Sequence, residues 1–324
     1  MATCCVGIDL GGTFIKFGIL DEQRRRVGDV FQVETPSGKT IDPVIEAMVS
    51  GAQQAIANAG LDPADVRGVG IGSPGPLSMS KGIVYDSPNI PGMKNVPLRQ
   101  RIADGLGIPA ALENDANAAA LGEYLCGAGM GCQVMVLLTL GTGLGGGVVI
   151  DGKVLHGDHE IGAEIGHMMI VPDGLLCGCG QRGCIEQYCS ATFMAQRAER
   201  RIREAPNGSC LEAVLIANKE LTAKDINEAR RDGDALAAEI WDQTCRYLAM
   251  GCVNLARILD ADRIVLAGGM TKAGDDLLQP VREHYRQLHW KLTDPQTQIV
   301  VAELGNDAGV IGAAGVAWHE CAGS

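Results

Sequence analysis

The sequence predicts an α/β protein built from two related domains, and three observations predict it. Strand-like and helix-like segments alternate along 324 residues, a length at which two domains can each bury a core. An apolar strand, a glycine turn and a second strand occur at residues 6–20 and again at 134–150. Forty-four glycines in a chain that is 46% hydrophobic imply many tight turns or ligand sites lined by backbone.

The elements follow in order. Residues 6–10 read as an apolar strand carrying Asp9, Gly11-Gly12-Thr13 as a turn, and 14–20 as the returning strand. Residues 42–59 read as a helix with Pro43 in its first turn. A strand at 66–71 runs into the loop Gly72-Ser73-Pro74-Gly75-Pro76, and Ser87-Pro88-Asn89-Ile90-Pro91-Gly92 is a second loop rich in turn formers. A short strand at 109–112 leads to Glu113-Asn114-Asp115, and the alanine-rich 116–125 reads as a helix. The second hairpin has strands at 134–140 and 148–150, with all of Gly141 to Gly147 expected in its tip. Helices are expected at 190–203 and 234–259. A strand at 263–267 ends at Gly268-Gly269, and a helix follows through about residue 288. The small-residue segment 309–319 reads as a packed terminal helix. The expected domains are 1–117 and 118–305, with 306–324 packing back on the first.

Composition excludes several classes of function. A net charge of −12 argues against nucleic acid, whose phosphates need clustered Lys and Arg; the basic run Arg24 to Arg26 lies in a turn and reads as solvated. Residues 1–6 lack the basic start of a signal peptide, and no apolar run reaches the length of a membrane span. Scattered cysteines without a secretory signal fit a reducing cytoplasm, with Cys126, Cys132, Cys245 and Cys252 as small core side chains.

The most specific chemistry lies at His167, Cys177, Cys179 and Cys184. One histidine and three cysteines supply four soft ligands of the kind tetrahedral Zn2+ takes, and Gly180 and Gly183 let a short loop turn around one ion. Four protein ligands close the shell, so a structural zinc is expected rather than a hydrolytic one; the competing reading is a run of ordinary buried or redox-active cysteines. Gly141-x-Gly143-x-x-Gly146 matches the dinucleotide fingerprint formally, but a strand follows where that motif needs a helix. What remains is a tip of backbone N–H groups suited to phosphate. Gly38-Lys39-Thr40 lacks the leading glycine of a P-loop and carries no signal.

Asp9-x-Gly11-Gly12-Thr13-x-x-Lys16 places a carboxylate at a strand end beside a glycine turn and a hydroxyl. That set can hold hydrated Mg2+ next to phosphates. Gly268-Gly269 allows a flat ring to approach the backbone. Asp115, at a strand-to-helix junction, reads either as an N-cap or as a general base, with Asn114 bonding a polar substrate. Glu164 and Glu186 bracket the cysteine cluster and are free to accept hydrogen bonds from a polyhydroxy ligand.

These motifs together resemble the ROK family of sugar kinases and sugar-responsive repressors, in the actin/hexokinase-like (ribonuclease H-like) fold class. The resemblance covers essentially the whole chain. It runs through DxGGTxxKxG from Asp9 to Gly18, SPGP from Ser73 to Pro76, and END from Glu113 to Asp115. It continues through GTGxGGG from Gly141 to Gly147, ExGH from Glu164 to His167, CxCGxxGCxE from Cys177 to Glu186, and AGG from Ala267 to Gly269. It implies a two-lobed protein with an inserted zinc-binding loop and MgATP between the lobes. Asp9, Gly11, Gly12, Thr13, Lys16, Gly141, Thr142 and Gly143 would face the phosphates, and Gly268 and Gly269 the adenosine. Asp115 would be the catalytic base. Gly75, Asn89, Asn114, Glu164, His167 and Glu186 would hold the sugar, His167 serving zinc and sugar at once.

The resemblance therefore implies transfer of the ATP γ-phosphoryl group to the 6-hydroxyl of a hexose, glucose first. N-acetylmannosamine, N-acetylglucosamine, fructose and allose are the alternatives. The loop SPNIPGMKNVPL is similar to that of ROK glucokinases, although Met93 stands where many have tryptophan. A sugar-sensing repressor is disfavoured by the acidic charge and by a first strand expected from about residue 4, ahead of which family repressors carry a helix-turn-helix. Family members are commonly homodimers or homotetramers, and this is expected here.

Overall fold

A computed structural model of the chain describes residues 4–87, 89–90, 92–204 and 208–321. Pro88 and Pro91 of the expected loop, and the last residues of the expected terminal segment, lie outside them. The first part of the chain forms β1 Cys4–Leu10, β2 Phe14–Asp21, β3 Phe31–Glu34, α1 Asp42–Asn58 and β4 Val66–Ser73. It continues with β5 Leu77–Ser78, β6 Ile83–Asp86, β7 Lys94–Val96, α2 Leu98–Leu106, β8 Ala110–Asn114 and α3 Asp115–Cys126. Next come β9 Val134–Leu140, β10 Leu144–Ile150, β11 Lys153–Val154, α4 Glu186–Cys189, α5 Ala191–Glu204, α6 Leu211–Asn218 and α7 Ala223–Arg231. The chain closes with α8 Ala235–Leu259, β12 Arg263–Ala267, α9 Asp275–Leu288, β13 Gln298–Val301 and α10 Ala308–Glu320.

Two five-stranded sheets repeat one plan. The first has the order β3-β2-β1-β4-β8, and the second β11-β10-β9-β12-β13. In the first, β1, β2 and β3 form an antiparallel meander, and β4 and β8 add parallel to it. In the second, β12 and β13 add parallel to β9 in the same manner. Each sheet thus starts from a hairpin with a glycine turn, and parallel strands then extend it through helical crossovers.

The chain divides into two compact units, 1–133 with 147–162 and 303–324, and 134–146 with 163–302. These bounds differ from the expected 1–117 and 118–305. The reason is packing in the first unit: α3 is bound to the returning helix α10, so the chain leaves this unit only after α3. The segment 147–162 also returns to it, ending in contacts with β8 and the β5–β6 turn described below.

Small residues allow α10 to touch backbone on both sides. A Cβ on Gly7 would stand 1.9 Å from the Val310 carbonyl oxygen, and one on Gly70 would stand 1.7 Å from that of Ala313. On the α3 side, a Cβ on Gly312 would stand 1.6 Å from the Ala118 carbonyl oxygen, and one on Gly122 would stand 2.1 Å from that of Ala308. No L-side chain fits at these distances, so β1, β4, α3 and α10 meet main chain to main chain. The buried Glu123 fixes the entry to α10. Its carboxylate accepts the N–H groups of Ala128, Glu303 and Leu304 at 2.9, 3.1 and 2.8 Å. Across the sheet, Phe17 stacks on Phe31 with centroids 5.1 Å apart, and Gly51 of α1 leaves room for the Phe17 ring.

In the second unit the long helix α8 buries Leu248, Cys252, Leu255 and Ala256, and α8 packs along α9. Cys245 and Cys252 are core side chains there, as Cys132 is in the first unit, whereas Cys126 is only partly buried. Among the described residues, no helix is long and apolar enough to cross a membrane.

Gly70→Ala or Gly312→Ala is expected to lower unfolding free energy by at least about 1–3 kcal/mol, as overpacking does. Gly38→Ala, facing open space, is the control. Urea midpoints for the three variants check this, and equal midpoints would contradict it.

Candidate active site and metal centre

In the first unit the tip Gly11-Gly12-Thr13 is held from behind. Gly11 N–H donates to the Phe14 carbonyl at 3.0 Å, Thr35 N–H to the Thr13 carbonyl at 2.8 Å, and Thr35 Oγ1 to the Gly11 carbonyl at 2.7 Å. Thr35 lies outside the motif, and nothing in its spacing marks it. Gly12 faces Asn89 so closely that a Cβ would stand 3.1 Å from the Asn89 Cβ and carbonyl oxygen. The phosphate turn and the sugar loop expected from sequence therefore meet at this point. Gly75 has φ +95 and lies against the Asp86 carbonyl, a position that needs glycine. Met93, the departure from tryptophan in the expected sugar loop, is buried in the first unit's core.

Asp9 and Lys16 are register partners across β1 and β2. Lys16 Nζ donates to the Asn306 carbonyl at 2.5 Å and lies 3.9 Å from Asp9 Oδ2. The lysine is thus engaged beside Asp9 at the start of α10. Burial pushes the Asp9 carboxyl up to about 6, opposed by Lys16 and reinforced by the charge of Asp115. Two carboxylates repel one another beside a glycine tip, and Lys16 offsets only part of the cost of burying Asp9. That donor set fits a hydrated Mg2+, a hard cation that takes oxygen ligands.

The cap of α3 is Asn114, not Asp115. Asn114 Oδ1 accepts from Ala116 N–H at 2.9 Å and Asn117 N–H at 3.3 Å, in extended backbone with φ −67 and ψ 146. Asp115 is the first residue of the helix, and its Oδ1 accepts from Ala116 N–H at 2.8 Å. Asparagine wins because the cap must lie outside the helix, and the strand β8 continues extended through Asn114. The bond to Oδ1 also orients the Asn114 amide, which then offers its NH2 as a donor.

Sequence reasoning missed Glu113 and His156. Glu113 is 1% exposed, and His156 Nε2 donates to its Oε2 at 2.7 Å. The hydrogen bond to Glu113 raises the His156 pKa against the opposing effect of burial. The partners stand 43 residues apart, and no local pattern links them.

In the second unit the glycine run is shorter at its tip than expected. Only Gly141-Thr142-Gly143 form the turn, and Leu144–Ile150 is strand. Gly146 is in the strand because a Cβ there would stand 2.7 Å from the Leu137 carbonyl oxygen. Gly141 N–H donates to the Gly143 carbonyl at 3.0 Å, and Ala191 N–H to the Gly141 carbonyl at 2.9 Å. Glu186 closes the turn, its Oε2 accepting Leu144 N–H at 2.9 Å. One oxygen of Glu186 is therefore committed to the turn, whereas Glu164 is exposed. Gly268, with φ +91, lies against the Leu140 carbonyl, while Gly269 faces open space.

His167, Cys177, Cys179 and Cys184 come together with ligand atoms all within 4.8 Å of one another. His167 ends a short 3-10 turn, Ile165–His167, and Gln181 Nε2 donates to its carbonyl at 2.9 Å. The loop turns at Gly180 and Gly183 with φ +88 and +80. Cys177 Sγ is 3.7 Å from His167 Nδ1, and Cys179 Sγ is 3.7 Å from Cys184 Sγ. A tetrahedral Zn2+ with bonds of about 2.3 Å to sulfur sets edges of about 3.8 Å. Burial and the neighbouring sulfurs push the Cys184 thiol up to about 12, while the Gln181 backbone holds Cys179 below its usual value. Three thiolates cannot share this space without a cation, so the donor set fits zinc.

With this geometry in place, comparison with known proteins is decisive on one point. The model of the ROK family matches residues 5–320. The chain belongs to the ROK family. It is 35% identical over 322 residues to a glucokinase of Streptomyces coelicolor, covering 96% of each chain. Among solved structures, the ROK hexokinase of Thermus thermophilus superposes with a TM-score of 0.83 at 33% identity, covering 98% of both chains. A ROK family glucokinase from Streptomyces griseus, in complex with glucose and AMPPNP, gives a TM-score of 0.74 at 37% identity. That match covers 98% of this chain and 99% of the other. The ROK protein described here thus shares the α/β fold of these relatives along its length.

Two outcomes are expected. The purified protein carries one zinc per chain by elemental analysis. Cys184→Ser loses it, and hydrogen exchange rises across residues 167–186 but not across 5–20; full zinc retention would contradict this. Asp9→Asn stabilises the ligand-free protein, because a buried carboxylate with a raised pKa opposes folding when charged. The gain is absent below about pH 4, grows through pH 6 and reaches about 1–3 kcal/mol at neutral pH. Denaturation midpoints at pH 4 and 7.5 check it, and equal or lower stability of the variant at pH 7.5 would contradict it.

Proposed function

We propose that this ROK protein is an ATP-dependent hexose kinase that phosphorylates the 6-hydroxyl of glucose, with Asp115 as general base. The observation that carries the reading is the placement of Asp115. It opens α3 immediately after the cap, where the rigid helix start holds the carboxylate, and its charge acts on Asp9. A base beside a second carboxylate and a glycine tip suits in-line phosphoryl transfer. The likeness to a glucokinase that binds glucose and AMPPNP supports the choice of sugar and donor.

In this reading Asp115 accepts the proton of the 6-hydroxyl as its oxygen attacks the γ-phosphorus. The new P–O bond forms while the bond to the leaving ADP breaks. Backbone N–H groups of Gly12 and Thr13, and of Thr142 and Gly143, bind phosphate oxygens without side chains in the way, while those of Gly11 and Gly141 close the turns that present them. Asp9 would hold Mg2+, which when bound would supply positive charge to the phosphates. Lys16 keeps Asp9 ionised. Gly268 and Gly269 leave space for adenosine.

Asn114 donates its amide to a sugar hydroxyl, because its oxygen is used in capping. Glu164, His167 and the second oxygen of Glu186 read further hydroxyls, with Gly75 and Asn89 contributing from loops. A sugar lacking one of these hydroxyls leaves a polar group unpaired, which is the basis of selection. A structural zinc on His167, Cys177, Cys179 and Cys184 would hold His167 and the loop that leads to Glu186, so metal removal is expected to weaken sugar binding.

Asp115→Asn is expected to lower kcat by about 10^2–10^4-fold, with KM for glucose and MgATP changed little. Steady-state ADP release with glucose checks this. A variant that retains wild-type kcat would remove Asp115 from the chemistry.

A further inference from the structure

The segment after β11 is fastened to the turn that presents Asp115, and the chemistry above makes no use of it. His156 Nε2 donates to Glu113 Oε2 at 2.7 Å. The other oxygen of Glu113 accepts Asn114 N–H at 2.9 Å and Asn117 Nδ2 at 3.0 Å. A single buried carboxylate therefore grips the cap residue, the first turn of α3 and a histidine from a distant segment. That segment is itself pinned. Gly162 N–H donates to the His156 carbonyl at 2.7 Å. Glu160, at φ +59, accepts from Ser78 Oγ and Ser80 N–H, both at 2.7 Å.

The helix does not need Glu113 to be capped, since Asn114 Oδ1 already receives both the Ala116 and Asn117 N–H groups. Glu113 instead fixes the cap residue and the Asn117 side chain from the strand side. Without a cation, a carboxylate this deeply buried would be an uncompensated charge close to the base. The imidazole lies at the edge of a cavity of about 420 Å3 whose wall also carries Arg99, Glu160 and Glu320. Glu113, Glu160 and Glu320 all favour its charged form.

We propose that His156 is a positioning residue for Asp115: it holds Glu113, and Glu113 holds the first turn of α3 in the orientation that aims the base. The proposal rests on the kinase reading for its effect on rate but not for its effect on structure. The bond to Glu113 raises the His156 pKa, so the charged ring strengthens this hold, and the strengthening is lost as pH rises through that raised value.

The test compares His156→Leu and His156→Gln in the full chain. The leucine variant is expected to lose about tenfold in kcat, with KM for MgATP within about twofold of wild type. The glutamine variant, whose amide N–H can reach Glu113, recovers most of that rate at neutral pH. Hydrogen exchange over residues 113–120 rises in the leucine variant, stays near wild type in the glutamine variant, and is unchanged over 167–186 in both. Wild-type kcat in the leucine variant would overturn the proposal. So would a uniform loss of kcat, both KM values and Tm that glutamine does not rescue. If the wild-type protein phosphorylates no sugar, the kinase reading fails and the exchange arm decides alone. A rise confined to 113–120 supports the brace, and no rise refutes it.

Discussion

The first unit depends on main-chain contact between α10 and its neighbours. Helices normally stand off a sheet by the thickness of their side chains, but here glycines at Gly7, Gly70, Gly122 and Gly312 remove that layer. β1 carries Asp9 one residue before its end, and α3 begins at Asp115. Because α10 touches both backbones directly, the two acidic side chains are carried on elements spaced by main-chain contact. Side-chain repacking cannot absorb a change there. The buried Glu123, accepting three backbone N–H groups, locks the chain into the start of that helix.

Each unit crowds groups that would be charged together: two carboxylates in the first and three sulfurs in the second. Asp9 is pushed up by burial and by Asp115, and the cysteine cluster collects three sulfurs around one histidine. The donor sets suit cations of different kinds: a hard, oxygen-loving one at Asp9 and a soft, sulfur-loving one at the cysteines. Glu113 solves the same problem without a metal, by pairing with His156.

The legible parts of the sequence were those with a local signature. Glycine turns between apolar strands, the ordered Cys/His set and the small-residue terminal segment each announce themselves within about twenty residues, and each appears in the structure as an element or a cluster. Long-range pairings carried no such mark. Gly70 and Gly312 read as ordinary glycines until the close approach of α10 explains them. The domain boundary fell late because α3 packs on a helix nearly two hundred residues further along. Asn114 and Asp115 both suit a cap, and only the continuing extension of β8 decides for Asn114. Thr35 and His156 act across 24 and 43 residues, distances at which side-chain type alone predicts nothing.

The central claim is that a ROK fold with this site phosphorylates glucose, and the most direct measurement is product identity. MgATP would be incubated with equimolar glucose, mannose, N-acetylglucosamine and N-acetylmannosamine, and the phosphorylated sugars resolved by phosphorus-coupled NMR. The account predicts one dominant product, phosphorylated on the 6-hydroxyl of glucose. A dominant N-acetylated product, or phosphate on another hydroxyl, would contradict it.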